Sequence, residues 1–230
     1  MKTTPRMCNE DRRTAIITAA RRVFVEKGFY RTTTHELAEA AEVSEALLFK
    51  HFPSKEDLYA AIQMSCFKED RSKVTEQLES LEPSTSALVF LVRDWVCKVL
   101  GGQPDEDVRS FLRLVLRSLM DEGEFARLGL GFEGGPSHWV QKVAQCLEAA
   151  RTAGDTVDGP ISANLAGWCT QQVMCGMMMH FLPPEPVIDY GVSREELVNQ
   201  VIWFCLRGMG LKEEAIQRSC KSQRVCEDCD

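Results

Sequence analysis

At 230 residues, 44% of them hydrophobic, the chain is long enough to bury one large core or two smaller ones. Its opening, MKTTPRMCNEDR, has no apolar signal core. The most apolar later stretch, Trp168 to Leu182, is broken by Thr170, Gln171, Gln172 and His180, short of the ~20 apolar residues of a membrane span. A cytoplasmic protein with no membrane partner is expected. The net charge of −7 is unevenly spread: residues 1–55 hold ten Lys/Arg against seven Asp/Glu, and the remainder seventeen against twenty-seven. A basic head on an acidic body suits a nucleic-acid-binding module joined to a separate domain.

No strand-length alternation is present, whereas helical spacing recurs between Gly, Pro and Ser/Asp punctuation. Ile16, Ala20, Val23, Phe24 and Lys27 predict a first helix that closes at Gly28. Short helices follow from Thr33 to Ala41 and from Ser44 to Phe52. After Pro53-Ser54 a longer helix is expected to run to about Leu81. Ala87–Leu100 and Asp107–Met120 come next, then a loop marked by Gly129, Gly131, Gly134 and Gly135. A helix from about Ser137 to Ala153 precedes one opened by Pro160 and stopped by Pro183-Pro184. Ser193 and Glu196 form a capping box for the last helix, which ends at Gly208-Met209-Gly210. The expectation is an all-α fold of about nine helices. It divides into a flexible 1–9, a head over 10–65, a helical body over 66–212 and a tail over 213–230.

Ten cysteines suggest disulfides in a short secreted chain, but here most sit within apolar helical patterns. Cys97, Cys146, Cys169, Cys175 and Cys205 are read as reduced thiols packing as small hydrophobes.

The informative stretch is GFYRTTTHELAEAAEVSEALLFKHFPSKEDL, residues 28–58. Thr33 and Glu36 make a capping box, so a helix starts near Thr34, and its small residues Ala38 and Ala41 let another helix approach. Val43 plugs a tight turn, and Ser44 caps a second helix whose apolar side is Leu47 or Leu48 with Phe52. Glu45, Ala46, Phe49, Lys50 and His51 are left partly outward. Two short helices joined by a tight turn, the second exposing its N-terminal residues, make a helix-turn-helix that fits a major groove about 12 Å wide. Ser54-Lys55 then start a helix whose free N–H groups and lysine ammonium suit a phosphate.

Residues 10–65 resemble the DNA-binding head of the TetR family of bacterial transcription regulators. The resemblance lies in an Arg/Ala-rich first helix ending in Gly28-Phe29, then Thr32-Thr33, Leu37-Ala38, Ala41-x-Val43-Ser44 and Leu48-Phe49-x-x-Phe52-x-Ser54-Lys55-Glu56-x-Leu58. The chain departs from the family at four points. Glu42 stands where the turn usually has Gly, and a left-handed backbone there costs roughly 1 kcal/mol more with a Cβ. Phe49 replaces an aromatic hydroxyl, Leu47 a small or hydroxylated residue, and Glu45 adds negative charge at the groove.

DNA contact is therefore expected at Thr33, Thr34, Ser44, Glu45, Ala46, Leu47, Phe49, Lys50, His51 and Lys55. The plain alternatives are solvated lysines at Lys50 and Lys55, a solvated Glu45 rather than one accepting from a cytosine amine, and a simple cap at Thr33. In the body, the nearly all-apolar helix 161–182 needs two partners. The resemblance implies a small-molecule cavity on one side and a second subunit on the other. Pocket candidates are Trp95, Phe111, Trp139, Trp168, Gln171, Gln172, Met174, Cys175 and Met178, with plain core as the alternative.

No cofactor or metal set is found. His35-Glu36 lacks the second histidine of a zinc-protease motif, there is no phosphate-cradling glycine loop, and four scattered histidines offer no catalytic set. The expected function is a homodimeric, non-enzymatic, ligand-responsive regulator, a repressor if the resemblance holds. It would dimerise through the 161–182 and 194–209 helices and bind double-stranded operator DNA. The alternatives are a redox or metal sensor or enzyme using Cys226-x-x-Cys229, and a helical adaptor whose head has lost DNA affinity through Glu42, Glu45 and Phe49.

Overall fold

The computed structural model describes residues 8–65, 71–102, 106–120, 123, 126–127 and 136–222. Among these residues the fold is all-α, with eleven helices in chain order. They are α1 (Asn9–Lys27), α2 (Thr34–Ala40), α3 (Glu45–His51), α4 (Lys55–Ser65), α5 (Arg71–Ser80), α6 (Thr85–Leu100), α7 (Glu106–Met120), α8 (Pro136–Thr152), α9 (Ala163–Met179), α10 (Arg194–Gly208) and α11 (Glu213–Ser222).

The helix expected up to Leu81 is described as α4 and α5, and its stretch over residues 66–70 lies outside the described residues. Two details depart from the sequence reading. Pro160 does not open α9; Ser162 does, its hydroxyl accepting from the Leu165 amide at 3.3 Å, because a side-chain acceptor satisfies an orphan N–H that proline cannot. Residues 213–222, expected as tail, form α11, which packs against α6 and buries Ala215, Ile216 and Ser219 on one face. That apolar face is short, and only tertiary contact makes so brief a helix stable.

The chain divides into two compact units, residues 1–69 with 105–130, and residues 70–104 with 131–230. In the first, α1 packs against α2, α4 and α7. Its core is Ile16, Ile17, Ala20 and Phe24 from α1, Leu37 and Ala38 from α2, Leu48 and Phe52 around α3, Leu58, Tyr59, Ala61 and Ile62 from α4, and Leu114 from α7. Each such large side chain taken from water stabilises by about 1.5–3 kcal/mol. Gly28 ends α1 at φ 77°, a left-handed backbone in which a Cβ would be strained. The buried Thr32 hydroxyl donates to the Gly28 carbonyl at 2.6 Å, fixing the turn that leads into α2.

The second unit is built around α6, which is apolar nearly all round and packs against α8, α9, α10 and α11. Gly167 lets α9 lie close on α8, since a Cβ there would stand 3.1 Å from a Val140 methyl and 3.3 Å from its carbonyl. Arg194 starts α10, and its guanidinium donates to the carbonyls of Leu100 and Gly102 at 2.8 and 3.0 Å, a cation placed on the negative end of α6. Asp155 accepts from the Thr85 hydroxyl at 2.7 Å and pairs with Arg218 at 2.6 Å, tying the start of α6 to α11. The Thr85 hydrogen bond, ahead of the Arg218 cation, holds the Asp155 carboxyl below its ordinary range despite some desolvation. An isolated bridge between Thr156 and Leu211 secures the same corner.

The thiols recorded among the described residues are not in disulfides. Cys146 and Cys205 are buried, Cys97 and Cys175 half-buried; burial pushes Cys175 and Cys205 up to about 11, which makes them poor nucleophiles at neutral pH. Cys169 departs from the expectation of burial and is exposed on α9.

Candidate nucleic-acid interface

Thr33 precedes α2 in extended conformation, and its hydroxyl accepts from the Glu36 amide while Glu36 accepts from the Thr33 amide. The second Glu36 oxygen takes the Lys27 ammonium at 2.6 Å. Lys27 first, then the Thr33 donors, hold the Glu36 carboxyl at about 2 and keep it charged through the ordinary pH range. This end of α2 is thereby fixed to the end of α1.

The turn between α2 and α3 is tight. The Val43 amide donates to the Ala38 carbonyl at 3.0 Å, and Glu42 sits at φ 54°, the one left-handed non-glycine residue among those described. The sequence places a carboxylate side chain where glycine suits the backbone, and the fold takes the left-handed conformation regardless. Ser44 then caps α3, its hydroxyl accepting from the Leu47 amide at 3.2 Å. Leu48 and Phe52 anchor α3 to the core, which turns Glu45, Ala46, Phe49 and Lys50 outward. Phe49 is 42% exposed, a large apolar ring offered to solvent at the centre of the helix. Leu47 and His51 are half-buried at the rim of this face.

Glu45 is not a loose surface carboxylate. It accepts from the Thr34 hydroxyl at 2.8 Å, and His35 lies 3.5 Å from its other oxygen. The first turns of α2 and α3 are thus linked, with Thr34 and His35 holding the acid at the entrance to α3. His35 was not among the sequence candidates. Its only signal there is its place in the first turn of α2, and the link to Glu45 becomes visible once the turn brings the two helix starts together.

Lys55 behaves unlike Lys50. The Lys55 ammonium donates to the carbonyls of Phe29 and Thr32 at 2.9 and 3.1 Å, and lies 4.2 Å from the centre of the Phe29 ring. Its charge fastens the start of α4 to the turn between α1 and α2. Ser54 caps α4, accepting from the Asp57 amide at 3.0 Å and donating to the Asp57 carboxylate at 2.6 Å. Arg13 stacks over Phe52, 4.8 Å from the ring centre, and closes the other side of the core.

In the body, the pocket candidates sort into buried and open positions. Trp139, Gln171, Met174 and Met178 are buried, Trp95, Trp168 and Cys175 half-buried, and Gln172 exposed. Gln171 has both ends of its amide engaged, accepting from Gln172 at 2.9 Å and donating to the Cys175 sulfur at 2.9 Å. Trp95 and Trp139 face each other with ring centres 5.8 Å apart. Phe111 belongs to α7 and so to the first unit, and its side chain lies outside the described residues. Cys226 and Cys229 lie outside them as well. Among the described residues no helix is long and apolar enough to cross a membrane.

Residues 16–62 match the model for bacterial regulatory proteins of the tetR family. The chain is similar to the HTH-type transcriptional regulator HbdR of Aromatoleum sp. (strain CIB), 31% identical over 121 residues, covering 50% of this chain and 52% of that one. It is also similar to the HTH-type transcriptional activator FasR of Mycolicibacterium smegmatis, 39% identical over 57 residues, which is 25% of this chain and 26% of FasR. The chain thus spans about half the length of the first of these relatives and about a quarter of the second. Among solved structures, NalD of Pseudomonas aeruginosa, described as the secondary repressor of the MexAB-OprM multidrug efflux pump, superposes with a TM-score of 0.60 at 20% identity over 90% of this chain and all of NalD. That likeness extends the shared fold over the helical body. The helix-turn-helix head of the chain is thus similar to the N-terminal domain of the tetR family of bacterial regulatory proteins.

Proposed function

We propose that the protein is a DNA-binding transcription regulator that acts as a homodimer, inserts α3 of each head into successive major grooves of a palindromic operator, and is released as a repressor by a small lipophilic ligand. The observation that carries this reading is the face of α3. Leu48 and Phe52 are sequestered, while Ala46, Phe49 and Lys50 stand outward beside an oriented Glu45. A helix held this rigidly at both ends presents base-reading groups without further ordering cost.

Within that reading the roles divide. Lys50 meets a phosphate, Glu45 accepts from a cytosine amine, Ala46 and Phe49 pack against thymine methyls, and Ser44, Thr33, Thr34 and His51 border the backbone. Lys55 fixes the head rather than touching DNA directly. Two heads on a two-fold axis address half-sites about 34–36 Å apart, or a multiple of that spacing. The dimer forms through the outer faces of α9 and α10, where Leu165 is 53% and Phe204 66% exposed. A ligand in the body shifts the population toward a head separation that no longer matches the groove repeat.

The test is a titration of the full chain with duplex DNA taken from upstream of its own gene, followed by fluorescence anisotropy. Saturable binding to one stretch, competed by that stretch and not by unrelated duplex, is expected. Equal competition by any duplex would remove the operator from the account.

A further inference from the structure

We propose that Thr34 is a specificity-determining residue that works through Glu45: it pins the carboxylate at the groove, so that a base pair offering no amine there is refused. This role rests on the reading of α3 as the DNA-contacting helix and names how one position of the operator is chosen.

Thr34 opens α2 and Glu45 opens α3, and the tight turn between the helices brings the two side chains together. The Thr34 hydroxyl donates to Glu45 Oε2 at 2.8 Å, and His35 Nδ1 stands 3.5 Å from Oε1. The backbone that carries Thr34 is itself fixed. Thr33 and Glu36 exchange hydrogen bonds around the start of α2, and Glu36 is tied to Lys27 at the end of α1 at 2.6 Å. The Glu45 carboxylate is therefore located from the first helix through this chain of contacts, rather than left to its own flexible stem. Its side chain is still 45% exposed, so a carboxylate with several lone pairs keeps room for one more donor.

The single proton of the Thr34 hydroxyl is given to Glu45, and none is left for a phosphate oxygen. Glu45, once ionised, only accepts. In the major groove it is met by the cytosine N4 amine, whereas guanine O6 and N7 and thymine O4 oppose it with further acceptors. Adenine offers an amine with the N7 acceptor beside it. A loose glutamate would swing into solvent and escape a wrong base. One held by Thr34 stays, and the wrong base leaves a desolvated charge unmet. The hold thus acts on unwanted sequences, giving discrimination through a penalty rather than through an added contact.

The test is an anisotropy titration of the full chain with its operator stretch and with duplexes in which one base pair, changed symmetrically in both half-sites, is replaced by each alternative. Glu45→Ala locates the position that the acid reads, by losing discrimination there. At that position the unaltered chain is expected to prefer the pair carrying cytosine by about tenfold or more. Thr34→Val keeps the shape and loses the hydroxyl. It is expected to cut that preference to about threefold, chiefly by binding the wrong duplexes more tightly. Thr34→Ser, which keeps the hydroxyl, is expected to restore the preference. Where Thr34→Val loses helix content by circular dichroism, Thr34→Ala makes the same comparison. Uniform weakening over all duplexes with a shallower salt dependence would make Thr34 a phosphate contact and overturn the proposal. An unchanged preference without the hydroxyl, or no position relaxed by Glu45→Ala, overturns it as well while leaving α3 as the DNA-contacting helix. Absence of saturable binding in the unaltered chain removes that reading, and this role with it.

Discussion

Two lysines that look alike in the sequence do different work. Lys50 is exposed on α3, whereas Lys55 supplies two charge-assisted hydrogen bonds to the turn between α1 and α2. Lys55→Ala removes both bonds, leaving the Phe29 carbonyl with the Thr32 amide alone and the Thr32 carbonyl without this donor, and is expected to lower the unfolding free energy by about 2 kcal/mol, measured by urea denaturation. Lys50→Ala is expected to leave that curve unmoved. Glu42 offers the opposite case. Its φ of 54° is strained for a residue with a Cβ, and Glu42→Gly relieves that strain while loosening the unfolded chain. The net expected gain is about 0.5–1 kcal/mol in the same assay. An unchanged or lowered midpoint would show that the turn takes this conformation without cost. Glu36 adds a pH dependence. Its carboxyl lies at about 2 in the fold, below the ordinary value of 4.5, so its contribution is complete above the ordinary value and fades as pH falls toward 2. Thermal melts across pH 5 to 2 are expected to show a smaller acid loss in Glu36→Gln than in the unaltered chain.

At the scale of the elements, much of the head was legible. Thr33 with Glu36, Ser44, and Ser193 with Glu196 each placed a helix start, because capping is a local matter of one side chain and the next three amides. Gly28 and the left-handed Glu42 were equally local. What the sequence hid depends on distant parts of the chain. Lys55 finds its partners more than twenty residues away, and α11 owes its existence to α6. In α9 an almost wholly apolar sequence does not say which side is covered, and so Cys169 was expected inside and lies outside. The uncovered side has consequences for assembly. With Leu165 and Phe204 both more than half exposed on neighbouring helices, Phe204→Arg is expected to shift the protein from dimer to monomer in sedimentation velocity, with its helix content kept. A variant that still sediments as the unaltered protein does would move the interface elsewhere.

For the whole molecule, the two compact units do not follow a single cut along the chain. α7 joins the first unit although α5 and α6 precede it, and Leu114 enters the core formed by α1 to α4. Nothing in the periodicity of α7 announces this, since an amphipathic helix shows that it has a partner without naming it. The division of charge, by contrast, was readable from composition: a basic first segment and an acidic remainder fit a protein whose head alone meets a polyanion. The central claim is that the outward face of α3 meets duplex DNA, and Lys50 carries the simplest consequence. Anisotropy titrations over a series of salt concentrations are expected to give a steep loss of affinity with salt. Lys50→Ala should weaken binding to all duplexes alike and reduce the slope of log affinity against log salt by about one. A slope identical in Lys50→Ala and the unaltered chain, or no binding to any duplex at low salt, would contradict the account.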